Sequence, residues 1–422
     1  MTEWIEVPFG DVLADRLRNG VYKPKKFHGR GVKVVNMKEL FAHDRIKDQP
    51  ELRVDLTEEE IERFGLAPGD LLFARRSFVL EGSGKCSLVL RPGEATVFES
   101  SMIRARPDPR VVDGRYLRYL FASSYGRSRM ATIATRTAVS GIKGSSLAKL
   151  VIRIPSLATQ HRVADALDSF DLLIENNRRR AEVLEEMARA IYREWFVHFR
   201  FPGHEDATFT DSDVGSIPEG WKRQRLSALA KVNPQSRTPV AGEVVRYLDI
   251  SCLGDRTLDQ PQPVSGEDAP GRARRVVAAG DVVWSMVRPN RRAHALLVRP
   301  GSDWIASTGT AVLRPEAVTS SYLFEVVSSQ EFTDYLVSRA RGSAYPAAKV
   351  QDFKDAIIVQ PRPEVVSQFT ATVGPLHRMI WTLREQSAGL GSTRDLLLPK
   401  LVTGQIDVSD LHLGANTEQA VA

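Results

Sequence analysis

The sequence predicts an α+β protein with two similar globular domains, separated by a long antiparallel two-helix coiled coil and produced by an internal tandem repeat of about 200 residues. Three observations predict this architecture. Four segments occur twice in the same order, each copy ends in a long apolar seam with heptad spacing, and the rest of each copy mixes short β-like runs with helical stretches. At roughly 100–200 residues per domain, a chain of 422 residues suffices for two or three domains, each with its own core.

The repeat is visible as four pairs of matching segments. The separations between partners are 217, 211, 208 and 206 residues, a slow drift that small loop deletions would produce. The pairs are Trp4–Leu13 with Trp221–Ala230, Gly69–Phe73 with Gly280–Trp284, Leu90–Gly93 with Val298–Gly301, and Leu147–Pro155 with Phe353–Pro361. Four ordered matches at nearly one separation indicate a duplicated unit.

In the globular part of each copy, β-like runs alternate with helical stretches, and frequent Gly and Pro residues mark turns and loops. The predicted strands are Leu71–Ala74, Ser87–Leu90, Val151–Ile154, Asp281–Ser285 and Ala356–Val359, and the predicted helices include Val112–Tyr125 and Ser321–Arg339. The predicted limits are 1–155 and 219–360 for the two domains, 156–200 and 361–407 for the two long helices, 201–218 for a polar linker, and 408–422 for a frayed tail.

The first seam lies between residues 163 and 195, where apolar positions follow one another at alternating steps of four and three. Such spacing over more than four heptads is typical of a coiled coil. Its predicted interface residues are Val163, Leu167, Phe170, Ile174, Asn177, Leu184, Ile191 and Trp195. Asn177 is the polar member, and a single buried Asn in such a seam commonly fixes the register of the helices.

The second seam closes the second copy with the same steps. Its predicted interface residues are Val373, Leu376, Ile380, Leu383, Leu390, Leu397 and Leu401. Gly374–Pro375 predicts a kink or a restart near its beginning, and Gly404 predicts a C-cap at its end. Helices of this length span roughly 55 Å, more than one such domain covers, so we expect the two helices to pack together. Because the chain returns from the far end of the first helix through the second domain, the pair should be antiparallel.

Composition excludes several classes of protein and site. The longest apolar runs fall far short of the ~18 residues that a membrane span needs. The N-terminus has no basic region followed by an apolar stretch, so we expect no secretory signal and a cytoplasmic location. Cys86 and Cys252 lie 166 residues apart, which predicts neither a disulfide scaffold nor a zinc site built on cysteines.

The common catalytic motifs are also missing from the sequence. The segment Gly82–Ser87 superficially resembles a phosphate loop, but Val79 and Cys86 stand where that motif needs Gly and Ser or Thr. The eight histidines form no pair at i, i+4 that would bind a metal. We therefore predict a binding protein with no catalytic residues, no metal and no cofactor of its own.

Basic residues are concentrated in one segment of each copy. The chain carries a net charge of +6, yet Ser100–Arg153 has eleven Lys and Arg against two acids, and Gly271–Pro300 has seven Arg against Asp281. Such segments are typical of surfaces that bind the phosphate backbone of nucleic acids. The alternative interpretation is a solvated face balanced by acids that lie nearby in space.

The candidate DNA contacts come from basic residues and from two loops, Ile133–Leu147 and Val337–Phe353, which occupy matching places but differ in sequence. Arg can bind guanine with two hydrogen bonds, Ser binds phosphates or bases, and Gly lets the backbone approach closely. The candidates are Arg75, Arg76, Arg127, Arg129, Arg136, Ser140 and Lys143 in the first copy, and Arg288, Asn290, Arg291, Arg292, Arg341, Ser343, Tyr345 and Lys349 in the second.

The chain resembles the specificity subunit of type I restriction–modification systems from residue 1 to about residue 408. The motifs that carry the resemblance are Ile154–Leu157, Gln160–Arg162, Glu175–Arg179, Tyr192–Phe196, Gly215–Trp221, Gly374–Leu376, Thr393–Leu401 and Gly404–Ile406. Pro361–Glu364 departs from the family, which often has a second leucine-and-glutamine helix entry at this place.

The resemblance implies a subunit that reads DNA and has no catalytic site. Each globular domain would be a target recognition domain for one half of a bipartite, asymmetric target in double-stranded DNA. The helices would set the gap between the halves and dock two adenine methyltransferase (modification) subunits, which bring S-adenosylmethionine. Restriction/translocase subunits, which use ATP and Mg²⁺, would join for cleavage.

Two alternatives of other classes stay open. The chain could be a cytosolic coiled-coil adaptor with no role on DNA, which predicts no DNA affinity and protein contacts that are insensitive to salt. It could also be a self-sufficient restriction–methylation enzyme with unrecognised motifs, which predicts activity of the pure chain.

Overall fold

The computed structural model describes residues 4–77, 82–135, 140–212, 215–342 and 345–408. Contacts divide the chain into two compact units. Unit 1 contains Met1–Glu175 and Gly389–Ala422, and unit 2 contains Asn176–Ala388. Each unit combines α-helices with small β-sheets, in agreement with the predicted α+β class.

Unit 1 is built around a five-stranded sheet in the order β2-β10-β6-β8-β4. A three-stranded sheet β5-β3-β9 and the antiparallel pairs β1·β12 and β7·β11 complete it. The strands are β1 Ile5–Pro8, β2 Arg18–Asn19, β3 His28–Val35, β4 Arg45–Ile46, β5 Arg53–Val54, β6 Leu71–Ala74, β7 Arg76–Ser77, β8 Cys86–Val89, β9 Thr96–Phe98, β10 Met102–Ala105, β11 Ser140–Gly141 and β12 Val151–Ile154. The helices are α1 Met37–Ala42, α2 Glu58–Phe64, α3 Gly114–Ala122, α4 Ser124–Ile133 and α5 Gly144–Ala148.

The central strands of unit 1 lie in its core, and for this reason their sequences are short apolar runs. All four residues of β6 and of β8 are buried. Phe9, Phe73 and Phe121 meet edge to face with ring centroids 5.1–5.8 Å apart, the geometry that aromatic quadrupoles favour.

Unit 2 contains two four-stranded sheets, β16-β23-β20-β21 and β18-β17-β22-β19, and the antiparallel pairs β13·β14 and β15·β24. The strands are β13 Phe209–Ser212, β14 Gly215–Pro218, β15 Lys222–Arg225, β16 Ala230–Val232, β17 Val244–Leu248, β18 Gln262–Ser265, β19 Ala273–Val276, β20 Val282–Ser285, β21 His294–Leu296, β22 Trp304–Ser307, β23 Thr310–Pro315 and β24 Ile357–Gln360. The short helices are α7 Leu226–Leu229, α8 Ser320–Val327, α9 Gln330–Arg339 and α10 Val350–Asp355.

The predicted helices Val112–Tyr125 and Ser321–Arg339 are each divided in two. Ser123 separates α3 from α4 and accepts a hydrogen bond from the Gly126 N–H (3.1 Å). Ser329 begins α9 in the same way, by accepting from the Phe332 N–H (3.1 Å). A serine oxygen satisfies an N–H group that a new helix leaves unpaired, so both breaks are N-caps that the apolar pattern concealed.

Two long helices follow the globular parts. They are α6, Leu157–Tyr192, and α11, Pro363–Val402. A π-helical turn, Arg193–Val197, continues α6. The restart expected at Gly374–Pro375 is not found, because α11 is helical throughout. Pro375 has no N–H to donate to the carbonyl of Ala371, one turn earlier in the helix. Because Ala371 is exposed, water can bind that carbonyl instead.

The two helices run antiparallel within each unit. In unit 1, Arg394 of α11 donates to Asp171 of α6 (2.6 Å). In unit 2, Arg384 donates to Glu185, and the ring of Phe369 lies 4.9 Å from that of Phe196. Residue numbers rise along α6 while those of its partners fall along α11, as predicted for an antiparallel pair.

The ends of the long helices depend on specific residues. Gly404 has φ +76°, and the N–H groups of Gly404 and Gln405 donate to the carbonyls of Leu401 and Lys400, a Schellman arrangement that confirms the predicted C-cap. Residues 201–218, predicted as a polar linker, include the hairpin β13–β14, and Phe201 and Ile217 are buried in the core of unit 2. In the part of the chain that the structure describes, no helix combines the length and apolar character needed to cross a bilayer.

Candidate nucleic-acid interface

In unit 1, the chain segment after β6 lies beside the segment before α5. The strands β7 and β11 pair, with Arg76 opposite Gly141 and Ser77 opposite Ser140. The Arg75 carbonyl accepts a hydrogen bond from the Ile142 N–H (3.0 Å). A Cβ on Gly141 would lie 2.9 Å from that carbonyl oxygen, so the close approach requires glycine. The fold therefore brings Arg75 and Arg76 together with Ser140–Lys143, which lie more than sixty residues further along the chain.

In unit 2, the segment after β20 lies in the same way beside the segment before α10. The Met286 carbonyl accepts from the Ala348 N–H (2.9 Å), and the Arg288 N–H donates to the Pro346 carbonyl (2.7 Å). Arg341 and Ala347 exchange two backbone hydrogen bonds of 3.0 Å. These contacts bring the segment that begins the 288–292 turn together with the chain that carries Arg341, Tyr345 and Lys349.

The turn after β20 has an unusual backbone. Arg288 and Arg292 flank a 3₁₀ turn, Pro289–Arg291, with φ values of +51° and +55°. Non-glycine residues rarely adopt this left-handed conformation, and it persists where surrounding contacts hold it. The Arg288 guanidinium lies 4.6 Å from the centre of the exposed Tyr345 ring, a cation–π contact that leaves the ring at the surface.

Seven of the predicted DNA contacts are exposed. They are Arg76, Lys143, Asn290, Arg291, Arg341, Tyr345 and Lys349. Among the described residues, no acidic side chain forms an ion pair with the side chain of Arg76, Lys143, Arg291, Arg341 or Lys349. Exposed cations without an acidic partner are available to phosphates and base edges, so these residues form the best candidates on the two surfaces.

Five other candidates hydrogen bond within the fold, and the first is Arg75, whose guanidinium donates to the Ser100 carbonyl (3.4 Å). Arg127 donates to the Ser83 carbonyl (3.1 Å), and Arg129 donates twice to the Val151 carbonyl (3.1 and 2.9 Å). The buried Ser140 hydroxyl donates to the Thr135 carbonyl (3.1 Å). Arg292 bonds to four groups, which belong to Asp255, Gln330, Thr333 and Ser328. These contacts stabilise the loops, and a role of these residues in DNA binding stays a prediction. Arg136 and Ser343 lie outside the described residues.

The basic segment Ser100–Arg153 is not a continuous positive surface. Five of its arginines contact acids that lie elsewhere in unit 1 or beside them, and for these residues the alternative interpretation of charges balanced in space is correct. The pairs are Arg104 with Asp15, Arg106 with Asp70, Arg110 with Asp108, Arg115 with Asp113, Asp165 and Asp168, and Arg118 with Asp44 and Asp171.

Unit 2 also contains a buried ionic cluster. Arg256 is 2% exposed and donates to both carboxylate oxygens of Glu325 (3.1 and 2.6 Å). Burial alone would raise the pKa of Glu325, but the Arg256 guanidinium and the His377 imidazole together lower it to about 2. His294 stacks on Trp284 with ring centroids 5.1 Å apart, and burial, with the nearby Arg256 charge, lowers its pKa to about 4.

The predicted interface residues of the two long helices are all buried or half-buried. Asn177 is 9% exposed, and Ile380 and Leu383 pack with Ala181 and Leu184 in one cluster. The other predicted residues that are buried are Val163, Leu167, Val373 and Leu401. Those that are half-buried are Phe170, Ile174, Ile191, Trp195, Leu376, Leu390 and Leu397.

One basic stretch was missed by the prediction. Arg16–Lys33 contains seven Lys and Arg and no acid, so the signal was available in the sequence. In the part of the chain that the structure describes, no group of three His, Cys, Asp or Glu side chains could hold a metal ion.

Comparison with known proteins shows what the chain is similar to. Residues 23–186 match the family described as "Type I restriction modification DNA specificity domain". The chain is similar to type I specificity subunits. The resemblance inferred from the sequence motifs is confirmed by this match.

Curated relatives support the same conclusion along most of the chain. The type I restriction enzyme MjaIX specificity subunit of Methanocaldococcus jannaschii is 24% identical over 306 residues, which cover 71% of each chain. The putative MjaX specificity subunit of the same organism is 24% identical over 367 residues, which cover 84% of this chain and 82% of the relative. Both are named specificity subunits, in agreement with the prediction of a non-catalytic subunit.

A solved structure shares the fold. The type I restriction–modification S subunit from M. genitalium superposes with a TM-score of 0.59 at 14% identity, covering 95% of this chain and 96% of that one. At this identity the likeness concerns the fold alone.

Proposed function

We propose that this chain is the DNA sequence-specificity subunit of a type I restriction–modification complex. It reads a bipartite, asymmetric target in double-stranded DNA and carries out no catalytic step itself. The observation that carries the proposal is the equivalent placement of two surfaces with exposed cations. One combines Arg76 with Lys143 in unit 1, and the other combines Arg291 with Arg341 and Lys349 in unit 2.

The proposal includes a tandem repeat, with target recognition domains at residues 1–155 and 219–360. Support comes from equivalent pairings in the two units. The β1·β12 pair of unit 1 has a counterpart in β15·β24 of unit 2. The buried Asp70 accepts two hydrogen bonds from Arg106, and the buried Asp281 accepts two from Arg314.

The long helices are proposed to set the gap between the half-sites and to bind partner subunits. Two adenine methyltransferase subunits would bring S-adenosylmethionine, and restriction/translocase subunits would bring ATP and Mg²⁺. In favour of a docking role, α6 and α11 each leave large apolar side chains exposed, which a partner subunit would cover. They are Leu173, Val183, Met187, Met379 and Leu396.

The proposal is tested by selecting bound duplexes from a randomised pool with the purified chain and its methyltransferase. We expect enrichment of two short half-sites at a fixed separation, and binding that weakens as the salt concentration rises. A pool that shows no enrichment while the complex is intact would contradict the proposal.

A further inference from the structure

The missed basic stretch Arg16–Lys33, hereafter the basic arm, is an exposed surface of unit 1. Lys25, Lys26, His28 and Arg30 are exposed, and Tyr22 is 79% exposed. An exposed aromatic side chain among cations is typical of surfaces that contact nucleic acid.

The fold holds the tip of the basic arm in a defined conformation. Lys25–Phe27 form a 3₁₀ turn after Pro24, closed by a hydrogen bond from the Phe27 N–H to the Pro24 carbonyl (3.0 Å). The Phe27 ring packs on the small core formed by Val21, Val34, Val54 and Val97. Phe27 therefore anchors the turn. Lys25 is exposed on it, and the ammonium of the exposed Lys26 lies 5.0 Å from the centre of the Phe27 ring.

Part of the positive charge of the basic arm is balanced inside unit 1. Lys23 lies 2.8 Å from Glu60, Arg30 lies 2.8 Å from Asp55, and Lys33 lies 3.4 Å from Glu94. The remaining four cations have no acidic partner among the residues that the structure describes. They are Arg16, Arg18, Lys25 and Lys26.

The base of the basic arm borders the candidate surface of unit 1. The Val21 N–H donates to the Phe98 carbonyl (2.9 Å), three residues before Ser101, whose carbonyl accepts from the Arg75 N–H (2.9 Å). The Leu17 side chain lies 3.8 Å from where a Cβ of Gly144 would stand, and Gly144 follows Lys143. The base of the arm thus lies near the segments that carry Arg75 and Lys143.

Unit 2 has no such arm at the corresponding place. There, the chain from β16 into β17, Lys231–Arg246, contains three cations, and each lies near a carboxylate: Lys231 is 2.5 Å from Glu316, Arg237 is 2.7 Å from Glu243 and Arg246 is 3.4 Å from Asp303. The two units therefore differ in unbalanced positive charge at this place.

From this placement, we propose that the basic arm binds the phosphate backbone of DNA beside the half-site that unit 1 reads. This inference rests on the function proposed above. It makes the two halves of the complex unequal: unit 1 has an additional, sequence-independent contact, and unit 2 does not. The contact raises affinity without changing which bases are read.

The test compares two double variants of the full chain in complex with its methyltransferase. Lys25→Gln/Lys26→Gln removes two charges from the arm, and Lys38→Gln/Lys47→Gln removes two exposed lysines elsewhere in unit 1. Binding to the selected target and to a random duplex is measured across salt concentrations. We expect the arm variant alone to weaken binding to both duplexes by the same factor and to lower the slope of log K against log salt by about 2.

The outcomes separate this inference from the function on which it rests. If the unmodified complex binds its target and the arm variant binds with the same affinity and salt slope, the inference is wrong while the proposed function stands. Equal losses in both double variants would also overturn it, because they would show a general effect of charge. If the unmodified complex shows no affinity for DNA, the proposed function itself fails.

Discussion

Arg106 donates two parallel hydrogen bonds, 2.7 and 2.8 Å long, to Asp70, a carboxylate with no exposed surface. Asp70 also accepts from the Ala67 N–H (2.8 Å), so its charge is compensated from two directions. The pair ties the turn before β6 to the end of β10. It shows that the basic segment of unit 1 contributes arginines to the fold as well as to its surface.

Replacing Arg106 with Met should therefore destabilise unit 1. The substitution keeps most of the aliphatic packing but leaves Asp70 buried and without its cation, and we expect a loss of roughly 2 to 3 kcal/mol in the free energy of unfolding. Chemical denaturation measures it. Arg110→Met is the matched control, because the Arg110 side chain is 86% exposed and its loss should change stability little. If the two variants have the same free energy of unfolding, the buried pair contributes no more to stability than the exposed one.

The buried His294 predicts a pH dependence of unit 2. Its pKa in the folded chain is lowered to about 4, while an unfolded histidine titrates near pH 6.5, so the unfolded chain binds this proton more readily. The free energy of unfolding should then fall as the pH drops from about 6.5 to about 4, by at most roughly 3 kcal/mol.

Unfolding followed by tryptophan fluorescence tests this, since Trp284 stacks on His294. In the variant His294→Gln, the loss between pH 6.5 and 4.5 should be smaller, and in the control His28→Gln, at an exposed histidine, it should be unchanged. The lowered pKa of Glu325 changes the free energy of unfolding only below about pH 4.5. A His294→Gln variant with the full pH dependence would refute the assignment.

The two candidate surfaces should read separate half-sites. We expect Arg76→Ala to cost about 1–3 kcal/mol in binding if Arg76 contacts a base, and to relax one position in one half-site only. Arg291→Ala should do the same in the other half-site. Competition with duplexes that carry single base changes measures both. If both variants relax positions in the same half-site, the assignment of one half-site to each unit is wrong.

The length of the helices should set the gap between half-sites. One heptad added to α6 after Asn177 and one added at the facing level of α11 preserve the seam and lengthen the pair by about 10 Å. At about 3.4 Å per base pair this corresponds to roughly three base pairs. Sequencing of methylated sites should show unchanged half-sites with a longer gap, and an unchanged gap would show that the helices do not measure it.

Local signals in the sequence predicted much of the fold. The strands Leu71–Ala74 and Val151–Ile154 lie where the apolar runs predicted them, and the two seams lie on antiparallel helices because heptad spacing reports directly on helix packing. Gly404 was identified as a C-cap because few other residues adopt its backbone conformation. Of the kink or restart predicted at Pro375, the restart is not found, since an exposed turn of helix can replace one hydrogen bond with water.

The site was harder to predict, because its geometry comes from distant parts of the chain. The approach of Arg76 to Gly141 depends on a two-residue strand pair, too short to leave a pattern. Arg115 and Arg118 counted toward the basic segment Ser100–Arg153, but α6 brings Asp165, Asp168 and Asp171 to them. Counting charges along the chain does not reveal which of them meet in space.

The most direct test of the central claim is a map of methylated adenines in a host without adenine methylation of its own, expressing the methyltransferase from the same cell as this chain, with and without the chain. The account predicts methylation at one motif of two half-sites with a fixed gap, only when the chain is present. The same motif without the chain, or no methylated motif with it, would contradict the account.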